Sequence, residues 1–189
     1  PCQSDALHID IWQGGENWVR DTGSYTYETH KSDLDQFSGT QGHSTIQFDD
    51  KNQMPRLSKF LFGDWLSPSN LCFDIDDNSA SAGYVDSSKN KHVRSIRSLN
   101  RGWEIEDQIE GSFKKAVLRF FLKPDIWEIE GSCISSKKCS IMIKTDSPYL
   151  LELDEGFESL HYMEKNKVPI LKITLNQPSK IKTFIRFNN

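Results

Sequence analysis

Trp103-Glu104-Ile105-Glu106-Asp107-Gln108-Ile109 is the stretch whose reading decides the fold. Trp103, Ile105 and Ile109 fall on one side of an extended backbone, and Glu104, Glu106 and Gln108 fall on the other. Side chains alternate sides along a strand, so this period of two describes a ribbon with one face on a core and one in water. The same alternation sets Leu7, Ile9 and Ile11 against His8, Asp10 and Trp12. Leu118, Phe120 and Leu122 share one face, as do Ile181, Thr183, Ile185 and Phe187. Gly, Pro, Asn, Asp or Ser bound each run, and the runs recur about every ten residues, as in stacked antiparallel sheets. The expectation is an all-β chain: an antiparallel, supersandwich-like β-sandwich of many short strands, forming one domain over residues 1–189.

Two segments stand apart from the alternation. Residues 29–37 are expected to hold a short helical turn, because Asp33, Leu34 and Asp35 are poor strand formers. Residues 74–90 are rich in Asp, Asn, Ser and Lys and read as surface loops around at most one short strand.

Composition narrows the function classes. The 189 residues carry a net charge of −4, which argues against a general nucleic-acid binder. No run of about 18 apolar residues exists to form a membrane span. Cys2, Cys72, Cys133 and Cys139 are too scattered for a disulfide scaffold. Cys133 and Cys139 bracket a hairpin tip, where a bridge and two reduced thiols are equally acceptable readings, so the compartment stays open.

The first 65 residues hold most of the candidate chemistry. Asp5 opens a strand, Asp21 precedes the Thr22-Gly23 turn, and His43 follows Gly42, whose lack of a side chain lets the backbone fold closely around the imidazole. An amide, a carboxylate and an imidazole at strand ends can converge on a cation. The oxygens suit calcium and the imidazole suits zinc. The competing reading is a hydrogen-bonded structural histidine. Asp107 shares the parity of Ile105 and Ile109, so it faces the apolar side and needs a partner; Arg94 is the candidate, in a structural ion pair at a sheet margin. Trp12 is opposite in parity to Leu7, Ile9 and Ile11 and is expected to be exposed, whereas Trp18, Tyr25, Tyr27 and Trp65 are assigned mainly to packing. No phosphate-binding glycine loop, no G-x-S-x-G elbow and no visible nucleophile–histidine pair is present.

Several elements in order resemble the C-terminal domain of heparinase II/III-like proteins. They are Gln3-Ser4-Asp5, Gly14-Gly15, Asp21-Thr22-Gly23-Ser24-Tyr25-Thr26-Tyr27, Gly42-His43-Ser44-Thr45-Ile46 and Asp49-Asp50. His92-Val93-Arg94 and Trp103-Glu104-Ile105-Glu106-Asp107 follow, and the resemblance runs from residue 1 to about residue 130. It implies a β-sandwich that works beside an N-terminal helical toroid of the same protein, with polysaccharide bound between them. It further implies β-elimination on uronic-acid-containing chains, a carbon–oxygen lyase reaction, with little activity from this part alone. A periplasmic or secreted bacterial setting goes with that family.

By matching motif positions, Gln3, Asp21 and His43 are the implied ligands of one divalent metal, zinc or calcium; the alternative is a hydrogen-bonded cluster without an ion. Trp12 is the candidate sugar-contacting residue. One departure concerns Pro1, which stands where many lyases of the group carry a catalytic histidine. A second is that the toroid, with its catalytic Tyr and its Asn or His, lies outside this sequence. Together they leave a non-catalytic carbohydrate-binding or scaffolding module of bacterial surface-polysaccharide metabolism as the rival reading.

Overall fold

The computed structural model describes residues 3–26, 28, 30–59 and 61–188; Pro1, Cys2, Tyr27 and Thr29 lie outside the described residues. In chain order the elements are β1 (Ile11–Gln13), β2 (Glu16–Val19), helix α1 (Lys31–Ser38), a 3-10 turn (Thr40–Gly42), β3 (Ile46–Phe48), β4 (Arg56–Ser58) and β5 (Leu61–Phe62). Then come β6 (Ser67–Asp74), β7 (Ser79–Val85), β8 (Lys91–Leu99), β9 (Gly102–Glu110), β10 (Ala116–Phe121) and β11 (Glu128–Glu130). The last five are β12 (Cys133–Ser135), β13 (Cys139–Thr145), β14 (Leu150–Glu158), β15 (Asn166–Leu175) and β16 (Ser179–Phe187).

An eight-stranded sheet in the order β11-β12-β13-β16-β9-β8-β7-β6 faces a four-stranded sheet in the order β14-β15-β10-β3. Every pairing within them is antiparallel. The register follows from the alternation. Ile105 of β9 lies between Thr183 of β16 and Ile96 of β8, and Asp107 lies between Ile181 and Arg94. Ile105, Ile109, Ile181, Ile185, Ile141 and Ile143 share one core with Leu118, Phe120, Leu171, Ile173 and Ile46 of the opposing sheet. Each such fully buried side chain contributes about 1.5–3 kcal/mol of transfer free energy. The all-β sandwich expected from the sequence is the fold observed.

Four local expectations need correction. The alternation from Leu7 to Ile11 is a strand only from Ile11 onward, and Leu7 has a φ of 61°. The backbone of Ala6 bonds to Gln53 and Thr45, and the carbonyl of Leu7 to Arg94, so these groups leave no ladder to form. Residues 74–90 are more regular than expected, since β7 lies within the large sheet between β6 and β8; its small residues Ser79, Ala80, Ser81 and Ala82 hide the alternation. Trp65 is not packed but 71% exposed, with its indole N–H donating to the Phe62 carbonyl. The Arg94–Asp107 pair lies between β8 and β9, inside the large sheet and not at its margin.

The hairpin bracketed by Cys133 and Cys139 does form between β12 and β13, but Cys133 lies opposite Met142 and Cys139 opposite Phe187. Both thiols are free. The expected helical turn is α1.

Candidate functional site

Three loops meet at the candidate site, the first held by long-range bonds and the other two by local turns. The first is the N-terminal segment. Ser4 N–H donates to the Ser38 carbonyl at 2.9 Å, Gln53 holds both polar backbone groups of Ala6 at 2.8 and 3.1 Å, and Arg94 Nη1 donates to the Leu7 carbonyl at 2.6 Å. His8 is thereby delivered just before β1.

The second loop leaves β2 at Asp21. Its Oδ1 accepts the Gly23 N–H at 2.5 Å, an Asx-type turn that uses the φ of 74° at Gly23. The loop is stitched to the end of β14 through Ser159 N–H, which donates to the Thr22 carbonyl at 2.7 Å. The third loop runs from the 3-10 turn into β3. At Gly42 a Cβ would come within 1.8 Å of the Gln36 carbonyl oxygen, so the glycine permits the close approach that sets His43 in place.

Asp21 Oδ2 lies 3.3 Å from His43 Nδ1 and 3.5 Å from His8 Nε2. The two imidazoles meet edge to face with centroids 5.5 Å apart. His43 is wholly buried, whereas the Asp21 side chain is 34% exposed, so the cluster opens to solvent at the carboxylate. Asp21 and His43 come together as the sequence implied. Among the described residues Gln3, which is half-buried, makes no hydrogen bond to either, and His8 is the third member of the cluster. Periodicity places His8 on the polar side of a strand and cannot distinguish an imidazole that bonds inside the fold from one that faces water.

Electrostatics separates the three. Burial pushes His8 down to about 4, despite the opposing pull of Asp21, so this imidazole is neutral at neutral pH. Burial raises Asp21, but His43, the Gly23 N–H and His8 outweigh it and hold the carboxyl below its ordinary value. The Ser44 N–H donates to His8 Nδ1 at 3.0 Å, which assigns the His8 proton to Nε2, facing Asp21.

The donor set fits a small cation. His43 Nε2 is buried without a hydrogen-bond partner, while His8 Nε2 and His43 Nδ1 both face the Asp21 carboxylate. One donor atom from each of His8, Asp21 and His43 lies within 4.8 Å of the others. Tetrahedral zinc with bonds of about 2.0–2.1 Å needs donors about 3.3 Å apart, close to both distances from Asp21. Two imidazoles and one carboxylate match zinc better than calcium, which takes six to eight oxygens. His8 can ligate through Nε2 only after the Ser44 amide releases Nδ1, because a neutral imidazole has one lone pair.

Behind this cluster lies a second, fully buried one. Arg94 Nε and Nη2 donate to Asp107 at 2.7 and 3.2 Å, and His92 Nε2 lies 2.6 Å from Asp107 Oδ1. Burial raises Asp107, but Arg94 first and then His92 outweigh it, so the carboxyl stays ionised. Burial dominates at His92 and lowers it. Trp12 lies apart on β1 and is 59% exposed, as expected from its parity.

The family model described as "Heparinase II/III-like, C-terminal" matches residues 2–178. No curated protein matches the chain. A solved heparinase III structure with methylated lysines superposes with a TM-score of 0.80 at 18% identity, covering 99% of this chain and 30% of that one. The heparan sulfate lyase HepC from Pedobacter heparinus superposes with a TM-score of 0.76 at 17% identity, covering 99% of this chain and 31% of that one. At these identities the likeness is one of fold. The chain spans less than a third of the length of either structure.

Proposed function

The chain belongs to the heparinase II/III-like C-terminal family, and from that membership we propose that it is the β-sandwich part of a polysaccharide lyase cleaving uronic-acid-containing chains by β-elimination. The family match over residues 2–178 carries this reading. In β-elimination a base removes the proton at C5 of the uronate, positive groups neutralise the sugar carboxylate, and an acid protonates the departing oxygen. The catalytic acid and base fall to a helical toroid of the same protein, so residues 1–189, acting as one domain, supply a wall of the cleft and little turnover alone. Exposed Trp12 offers an aromatic face for a sugar ring.

In the same reading Asp21, His43 and His8 hold a divalent ion of the zinc type, and Gln3 is the amide donor that the family motif adds. An ion there fixes three loops to one another and offsets the charge of Asp21. Pro1, in place of a histidine, favours a second reading: a carbohydrate-binding or scaffolding module without turnover.

Metal content of the purified chain, with thermal melts in the presence and absence of chelator, tests the site. One equivalent of zinc, a melting temperature lowered by chelation, and loss of both effects in His43→Ala are expected. A protein with no metal and a melt indifferent to chelator, zinc and calcium returns the cluster to a hydrogen-bonded structure. The lyase reading itself is tested by unsaturated-uronate absorbance from the protein joined to its toroid; no absorbance with any uronate polymer leaves the binding module.

A further inference from the structure

We propose that Arg94, oriented by Asp107, is a positioning residue for the His8–Asp21–His43 cluster: it fixes the backbone on which two of the three side chains stand. The inference deepens the metal reading and rests on it for the affinity prediction alone. Arg94 is 4% exposed, and its guanidinium divides in two. Nε and Nη2 grip Asp107 in a fork, while Nη1 donates to the Leu7 carbonyl at 2.6 Å and to the Ser44 carbonyl at 2.7 Å. Leu7 directly precedes His8, and Ser44 directly follows His43. One planar cation therefore sets the spacing between the two histidine loops.

Ser44 completes the frame. Its N–H donates to His8 Nδ1 at 3.0 Å, its hydroxyl lies 3.4 Å from the carbonyl of Arg20, next to Asp21, and that hydroxyl also accepts the Phe121 N–H at 3.1 Å. Arg94 thus reaches His8 by two routes, through the Leu7 carbonyl and through Ser44. Leu7 adopts a left-handed φ of 61°, uncommon for a leucine, and the bond from Arg94 to its carbonyl helps to hold that conformation. Lysine cannot reproduce the arrangement. A single ammonium has no rigid fork to bind a carboxylate on one side and two carbonyls on the other.

Arg94→Lys in the 189-residue chain separates this role from general stability. In the metal-free protein at pH 7.5, nitrogen-15 ring shifts should show wild-type His8 fixed as the Nε2–H tautomer by the Ser44 amide. Arg94→Lys should average that signature, while far-UV circular dichroism stays unchanged. Zinc affinity, measured by chelator competition, should fall about 10–100-fold, because losing the fixed spacing of the two histidine loops outweighs the easier release of His8 Nδ1 from the Ser44 amide. Should Arg94→Lys fail to fold, Asp107→Asn carries the test, because it loosens the fork but leaves both carbonyl bonds available; a smaller loss in the same direction is expected. Wild-type ring shifts and wild-type zinc affinity in the folded variant overturn the proposal. If the wild-type chain binds no zinc, the metal reading falls, and the ring shifts alone decide for or against Arg94.

Discussion

Gly42→Ala tests whether close backbone packing places His43. A Cβ at residue 42 would stand 1.8 Å from the Gln36 carbonyl oxygen and 2.9 Å from its carbon. Real Cβ contacts stop at about 3.0 Å, so the two segments must part by about 1.2 Å, the difference between 3.0 and 1.8 Å. Both are backbone, one in α1 and one in the 3-10 turn, and no flexible side chain can give way instead. The displacement strains the bonds from Gly42 N–H to the Gly39 carbonyl at 3.1 Å and from His43 N–H to the Thr40 carbonyl at 3.2 Å. Overpacking of this kind costs about 1–3 kcal/mol, and backbone against backbone belongs at the upper end, about 3 kcal/mol. With a urea m-value of about 2 kcal/mol/M, the unfolding midpoint should fall by about 1.5 M at unchanged m. Tryptophan fluorescence is a suitable probe. His43 should move with the turn, so zinc affinity should fall as well. A variant with the wild-type midpoint and m-value refutes the close-approach argument.

Three further outcomes follow from burial and charge. His8 ionises near 4 when folded against 6.5 when unfolded, so the unfolded chain binds more protons between those values. Its contribution is therefore full above pH 6.5 and lost as the pH falls toward 4, by about 3 kcal/mol in all; urea midpoints in chelator should show His8→Asn with a flatter pH dependence than wild type. Asp107→Ala leaves Arg94 buried without its counter-charge and should destabilise by about 3–5 kcal/mol, whereas replacing Asp50, exposed and paired with Lys115, should cost under about 1 kcal/mol; denaturant titrations compare the two. Ile105→Ala, at a wholly buried site between the sheets, should cost about 2–5 kcal/mol with no effect on zinc affinity.

The long strands were legible because their alternation spans seven or more residues, as in β9 and β16, where the inward positions other than Thr183 are apolar or paired. Asp107 and Arg94 were legible for the same reason, since an inward carboxylate demands a cation on a neighbouring strand. β7 was hard to read because small residues on both faces erase the contrast on which periodicity depends. The segment before β1 misled in the opposite sense: Leu7, Ile9 and Ile11 alternate, yet long-range side-chain bonds hold that backbone and no neighbouring strand pairs with it.

The sequence by itself determined the all-β class, the family and two members of the candidate site, Asp21 and His43, because these rest on local period and ordered motifs. Tertiary structure alone decided that His8 joins them, that Trp65 faces solvent and that one arginine holds both histidine loops. The first and last of these depend on contacts between residues 13 to 87 positions apart in the chain, from His8 with Asp21 to Arg94 with Leu7. No local rule of spacing or propensity reaches that far; only the closing of one sheet over the other brings such residues together.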